Sequence, residues 1–351
     1  MSQEPVCATA KRRARRVVTR FLPTALVLTY HRVASPDLDP QLMCVSPAHF
    51  ASHLRLLCQV GECVSLRDLV RWSAVGRVPR RAIVVTFDDG YADNLDVAEP
   101  LLRDVGVPAT VFVASGGLDV GRPFWWDELE ALLLRTVEVP PEVTLTARGR
   151  RFAWPLDAAD SSSAAAAGPE DARRDVARFE VPSPRQAAFR DIASLCRALA
   201  PDERDAALRS LAAQLGEAPT VHGHRRLSPA GVAELAASAV VEVGAHGVSH
   251  TPLNVLSREG RAEEFIQSKH TLEQMTGCSV DLLSYPFGAA DVLTSDCGRV
   301  ARDCGYMAAC ANWPGLVWLR SDPYRLPRFR VRDWDAEEFA STLEAWFKGV
   351  D

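Results

Sequence analysis

Short apolar runs rich in β-branched residues recur along the chain, and each ends in glycine or polar residues. Ala25–Tyr30, Ile83–Phe87, Ala109–Ala114, Val240–Gly244, Leu282–Tyr285 and Met307–Ala311 read as buried strands, with Tyr324–Val331 a further short extended piece. Unbroken apolar runs of this kind suit a parallel sheet covered on both faces. Helical signals lie between them. Ser46-Pro47 opens one helix, and Ser65 caps a second that runs to Trp72 with Gly76 beyond it. Asn94–Val105 predicts a helix stopped by Gly106 and Pro108, with Pro100 either kinking it or marking its true first turn. Phe124–Arg135 predicts an amphipathic helix. Ser228-Pro229 starts another, Arg258–Thr276 is closed by Gly277, Cys297–Cys304 ends at Gly305, and Asp335 with Glu338 caps the last. Roughly seven strand signals alternating with helices favour an α/β barrel over an open sheet.

Residues 137–226 break this rhythm. Val143–Trp154 suggests a hairpin around Arg148-Gly149, Ala158–Pro184 has the composition of a flexible loop, and Phe189–Leu215 reads as a helical pair split at Pro201. The expected organisation is a basic arm over 1–24 and a barrel over 25–351, interrupted by an insertion over 137–226 that could serve as a lid. Lys11–Arg16 followed by the apolar Phe21–Tyr30 has some features of a signal peptide. The apolar stretch is too short to span a bilayer, and no small-residue cleavage site follows promptly. The expectation is therefore a cytoplasmic protein. Its arm is expected to be a solvated tail, with contact to anionic lipid the less favoured reading.

Composition narrows the classes. In 351 residues, 47% hydrophobic and 24% charged is ordinary for a globular protein, and a net charge of −5 argues against a nucleic-acid binder. Nine cysteines without a Cys-x-x-Cys pair suggest buried small hydrophobes in a reducing compartment.

The chemistry concentrates at strand ends. Ile83–Phe87 runs into Asp88-Asp89-Gly90-Tyr91, two adjacent carboxylates where α/β folds place their sites. Such a pair can divide its roles, one holding a cation and the other taking protons. Asp-Gly is also a common turn dipeptide. His246 and His250 follow another strand, four apart, as on one face of a helical turn. With Asp89 they make a three-ligand set that leaves an open position. His49 and His53 are also four apart, but no carboxylate stands with them, so a structural role is expected. His222-Gly223-His224 is too weak a pattern to assign a ligand.

Thr86-Phe87-Asp88-Asp89-Gly90, then His246-x-x-x-His250, then Ser284-Tyr285-Pro286-Phe287-Gly288 resemble, in that order, the NodB-homology polysaccharide deacetylases, carbohydrate esterase family 4. The resemblance covers roughly 25–135 and 227–347. It implies a distorted (β/α)7 barrel and metal-dependent removal of acetyl from an N-acetyl sugar. Asp88 would be the general base, Asp89, His246 and His250 the metal ligands, and the Phe287 N–H the oxyanion donor. The family's base-orienting arginine is replaced here by Ser284, and Arg328 or Arg330 could serve instead, against the alternative of two surface arginines on an edge strand. The late Leu-x-x-His of many members is missing. Tyr30-His31-Arg32-Val33 resembles a permuted branch that carries the acid histidine on the first strand, which makes His31 the expected proton donor.

Zn is the metal expected first, with Co, Ni or Fe also compatible. The expected partner is a carbohydrate, in a glycan, an oligosaccharide or a lipid-linked saccharide, with Trp125, Trp126, Trp313 and Trp318 as candidate groove aromatics. Hydrolysis of another non-peptide C–N bond, and a barrel that only binds carbohydrate, are the alternatives.

Overall fold

The computed structural model describes residues 23–156, 183–216 and 222–350. The basic arm up to Leu22 and the candidate flexible loop, apart from Ser183 and Pro184, lie outside them.

Seven parallel strands follow one another in space as in sequence: β1 (Thr24–Tyr30), β2 (Ala82–Phe87), β3 (Ala109–Val113), β4 (Val241–Ala245), β5 (Leu282–Ser284), β6 (Ala308–Cys310) and β7 (Phe329–Arg330). β1 pairs with β2 from Ala25 opposite Ala82 to Tyr30 opposite Phe87. The remaining neighbours pair in turn through to β6. Closure is thin. Phe329 and Arg330 pair with Leu28 and Thr29 of β1, while Leu326, three residues earlier, bridges Cys310 of β6. The result is a distorted (β/α)7 barrel.

Side-chain alternation then fixes what the barrel holds. Ala25, Val27, Ala82, Val84, Phe112, Leu282, Cys310 and Leu326 form one buried cluster. The intervening Leu26, Leu28, Ile83, Val85, Val111 and Val243 pack in another, with Phe50, Leu54, Phe265 and Phe339 of the surrounding helices. Thr86 and Asp88 continue the parity of Val84, and Arg328 that of Leu326.

Local structure departs from expectation in places. Asn94–Ala98 is a π-helical turn that leads into an α-helix over Glu99–Val105, with Pro100 in its first turn. Proline has no N–H to give the preceding turn, so the ladder loosens there instead of kinking mid-helix. The segment 124–135 is not amphipathic. Its α-helix (Trp125–Glu130) and the π turn after it (Ala131–Arg135) are buried almost all round. The cause is the insertion. The hairpin Glu142–Ala147/Arg150–Pro155 and the helices Pro184–Arg197 and Pro201–Leu215 form a second core with Trp125, Trp126, Leu129 and Leu132. Arg185 fastens it by donating to the carbonyls of Leu133 and Thr136. Within its described residues the insertion is therefore a packed wall. Cysteine burial is mixed as well, since Cys58 and Cys278 are exposed.

Candidate active site

β2 delivers Asp88 and Asp89 to the C-terminal mouth of the barrel. Asp89 has φ 75° and Gly90 φ 87°. A Cβ on Gly90 would lie 2.9 Å from Val113 Cγ1, so the turn needs glycine for both conformation and space. His250 (φ 50°) and Phe287 (φ 60°) are likewise left-handed. Three non-glycine residues held in this sparsely populated region around one cavity mark backbone over-determined by its surroundings.

Asp89, His246 and His250 come together. Asp89 Oδ1 lies 3.5 Å from His246 Nε2 and 3.2 Å from His250 Nε2, and the two Nε2 atoms are 3.1 Å apart. A tetrahedral zinc centre with bonds of about 2.0–2.1 Å has edges of about 3.3–3.4 Å, so this donor set fits a divalent metal. The His246 Nδ1–H donates to the Ser284 carbonyl (2.7 Å), which leaves the Nε2 lone pair facing Asp89. The histidines do not share a helical turn, as their spacing suggested. They flank a loop in which Gly247 is also left-handed.

Asp88 faces the barrel axis and is gripped by Arg328. Nη1 and Nη2 donate to its two oxygens at 2.7 and 2.6 Å, Nη2 also reaches Ser284 Oγ (2.9 Å), and Nε donates to the Ala311 carbonyl. Burial works to raise the Asp88 pKa, but the charge of Arg328, then that of His246, outweighs it and holds the group at about 2. Arg328 is 1% exposed, so the surface-arginine alternative fails for it. Arg330 instead donates to the carbonyls of Gln41 and Leu42 at the rim.

A cleft of about 580 Å³ opens onto these groups, lined by His31, Arg330, Trp125, Trp126, Phe189 and Phe287 among others. Burial, then the charge of Arg330, lowers the His31 pKa to about 4. The Phe287 N–H has no hydrogen-bond partner among the described residues. Trp126 packs edge-on against His250 (4.7 Å between centroids) and donates its indole N–H to Tyr91. Trp318 is not a groove residue: it pairs with Thr24 at the opposite end of the barrel, and Trp313 does not line the cleft. His53 is structural, between Tyr30 Oη and the Trp334 carbonyl.

A second cluster joins His224 to Glu130 (3.5 Å) and Asp127 (3.8 Å). The Tyr91 hydroxyl donates to Asp127 and Arg135 pairs with Glu130, and burial raises the pKa of both carboxyls, that of Glu130 to about 7.

Residues 76–140 and 211–309 match the family described as polysaccharide deacetylase. Over these residues the chain is similar to that family, the same one its motifs resemble. A poly-beta-1,6-N-acetyl-D-glucosamine N-deacetylase of Staphylococcus aureus is 26% identical over 106 residues, which cover 26% of this chain and 37% of that relative. The chain thus matches little more than a third of the length of this curated relative. The Streptococcus pyogenes deacetylase PplD superposes with a TM-score of 0.56 at 15% identity, covering 92% of this chain and 98% of that one. IcaB from Ammonifex degensii gives 0.53 at 17%, covering 93% and 97%. At such identities these structures bear on the fold, which they share. Among the described residues, no helix is long and apolar enough to cross a membrane.

Proposed function

We propose that this protein is a polysaccharide deacetylase, a metal-dependent hydrolase that removes the acetyl group from an N-acetylated sugar of a glycan, oligosaccharide or lipid-linked saccharide. The observation that carries the proposal is the bidentate Arg328–Asp88 pair beside the Asp89, His246 and His250 donor set. A divalent cation held by those three residues, zinc foremost, supplies polarisation of the acetamide carbonyl and lowers the pKa of a water molecule.

The chain's own groups do the rest. Asp88, ionised above about pH 2, accepts the proton of the attacking water, and Arg328 fixes the direction of its lone pairs. The Phe287 N–H is free to donate to the oxyanion, a contact typically worth about 3 kcal/mol. His31 is the proposed donor to the leaving amine. With its pKa near 4 it is neutral in the resting site, so it must take up a proton within the cycle. The fields of Asp88 and Asp89, which raise its pKa, favour that uptake. Aromatic side chains beside polar groups suit the cleft to a sugar ring, and the name of the Staphylococcus aureus relative makes N-acetylglucosamine polymers the first substrates to try.

The test is acetate release from N-acetylglucosamine oligomers, with metal content measured on the same samples. Wild type is expected to hold roughly one metal per chain and to release acetate. Asp88→Asn should keep the metal and lose about 10²–10⁴-fold in turnover, whereas His246→Ala should lose both. Wild type that takes up no metal when zinc or cobalt is supplied would refute the mechanism.

A further inference from the structure

The two histidines are oriented by different means. His246 is fixed through its ring, by Nδ1–H donation to Ser284. His250 Nδ1 is buried and has no hydrogen-bond partner. Trp126 and Phe287 pack against its ring in T-shaped contacts, each at 4.7 Å between centroids, and these apolar contacts offer Nδ1 no hydrogen bond. Its direction therefore depends on the backbone that carries it, and that backbone is left-handed at both Gly247 and His250.

The polar backbone groups of this loop are held one by one. Ser115 N–H donates to the Gly247 carbonyl and Gly116 N–H to the Val248 carbonyl, both at 3.0 Å. Arg204 of the insertion donates to the Ser249 carbonyl. The two successive amides between them converge on one side chain, Glu264 of the helix Arg258–Thr276. Glu264 Oε2 accepts from Val248 N–H (2.7 Å) and Ser249 N–H (3.0 Å), and Oε1 accepts from Ser249 Oγ (2.6 Å). Consecutive N–H groups of this kind form an anion-binding concavity. A carboxylate has enough lone pairs for all three donors, whereas a glutamine would turn an N–H₂ towards one of them. Gly247 makes the approach feasible, since a Cβ there would sit 3.0 Å from Glu264 Oε2.

We propose that Glu264 is a positioning residue for the metal centre: it locks the 247–249 backbone and thereby aims His250 Nε2 at Asp89 and His246. This role rests on the metal-site reading above. Glu264 touches neither cation nor substrate, so its effect belongs to metal affinity and coordination geometry.

The test is titration of the full metal-free chain with Co²⁺, read by visible absorption, with the apo thermal midpoint measured alongside. Glu264→Ala is expected to weaken cobalt binding about 10- to 100-fold and to change the visible band, with Glu264→Gln in between. A lower apo midpoint with unchanged cobalt affinity and spectrum would make Glu264 an ordinary structural residue and overturn the proposal. If the alanine variant does not fold, the same criterion applies to Glu264→Gln. Wild type that binds no cobalt overturns the metal-site reading, an outcome distinct from variants that match a cobalt-binding wild type.

Discussion

Arg328 and Arg330 stand two residues apart with the same strand parity, so periodicity alone could not choose between them. Register chooses. Arg330 lies opposite Thr29 near the rim, and Arg328 lies one step deeper than the Phe329–Leu28 pair, with its side chain inside the barrel. Ser284 is small enough to leave room, and its hydroxyl accepts from the guanidinium. The closing segment thus supplies the arginine that meets Asp88. Arg328→Gln is expected to cost about 3–5 kcal/mol in urea unfolding, because it leaves a buried carboxylate without its cation. In the same variant the largest force opposing burial is gone, so the Asp88 pKa rises. The proposed mechanism needs Asp88 deprotonated, so it predicts that the acid limb of the pH–rate profile moves to higher pH than in wild type.

At the scale of elements, strand–turn junctions carry the site, and glycine decides whether they can form. Asp88-Asp89-Gly90 announced itself in the sequence because two carboxylates and a glycine end an apolar run. The left-handed turn and the contact with Val113 are tertiary facts. Gly90→Ala meets both penalties at once and is expected to destabilise the fold by about 1–3 kcal/mol, measured by denaturant titration. The insertion was legible as an interruption, yet its role was not. The Trp125–Glu130 helix reads as amphipathic when only the barrel is considered, but its other face packs on the insertion's own core. That packing seats Trp126 beside His250 and places Phe189 in the cleft wall.

For the whole molecule, closure of the barrel joins the two ends of the described chain, and a buried histidine sits at the join. His53 Nε2 meets the Trp334 carbonyl at 2.8 Å, and its ring stacks on Phe339 of the last helix, 3.9 Å between centroids. Burial lowers its pKa to about 4. The unfolded chain, with an ordinary histidine near 6.5, binds more protons between those values. Stability should therefore fall as pH drops from about 6.5 to 4, by up to about 1.4 kcal/mol per pH unit for this residue. His224, lowered to about 4 by burial and then by the charge of Arg32, acts in the same direction. Thermal midpoints measured across this range check the effect, and His53→Gln should flatten the dependence.

The amino-acid sequence by itself determined the alternation of buried strands and capped helices, a rhythm that favours a barrel over an open sheet without closing it. It also placed the carboxylate pair and the histidine pair at strand ends, because these signals are local: apolar period, turn chemistry and spacing. Only the tertiary structure decided which arginine meets Asp88, that the histidines flank a left-handed loop, and that Glu264 and Arg204 hold it. Those outcomes depend on register around a closed sheet and on contacts between residues far apart in the chain. No local pattern records such distances, since they exist only once the strands have paired and the barrel has closed.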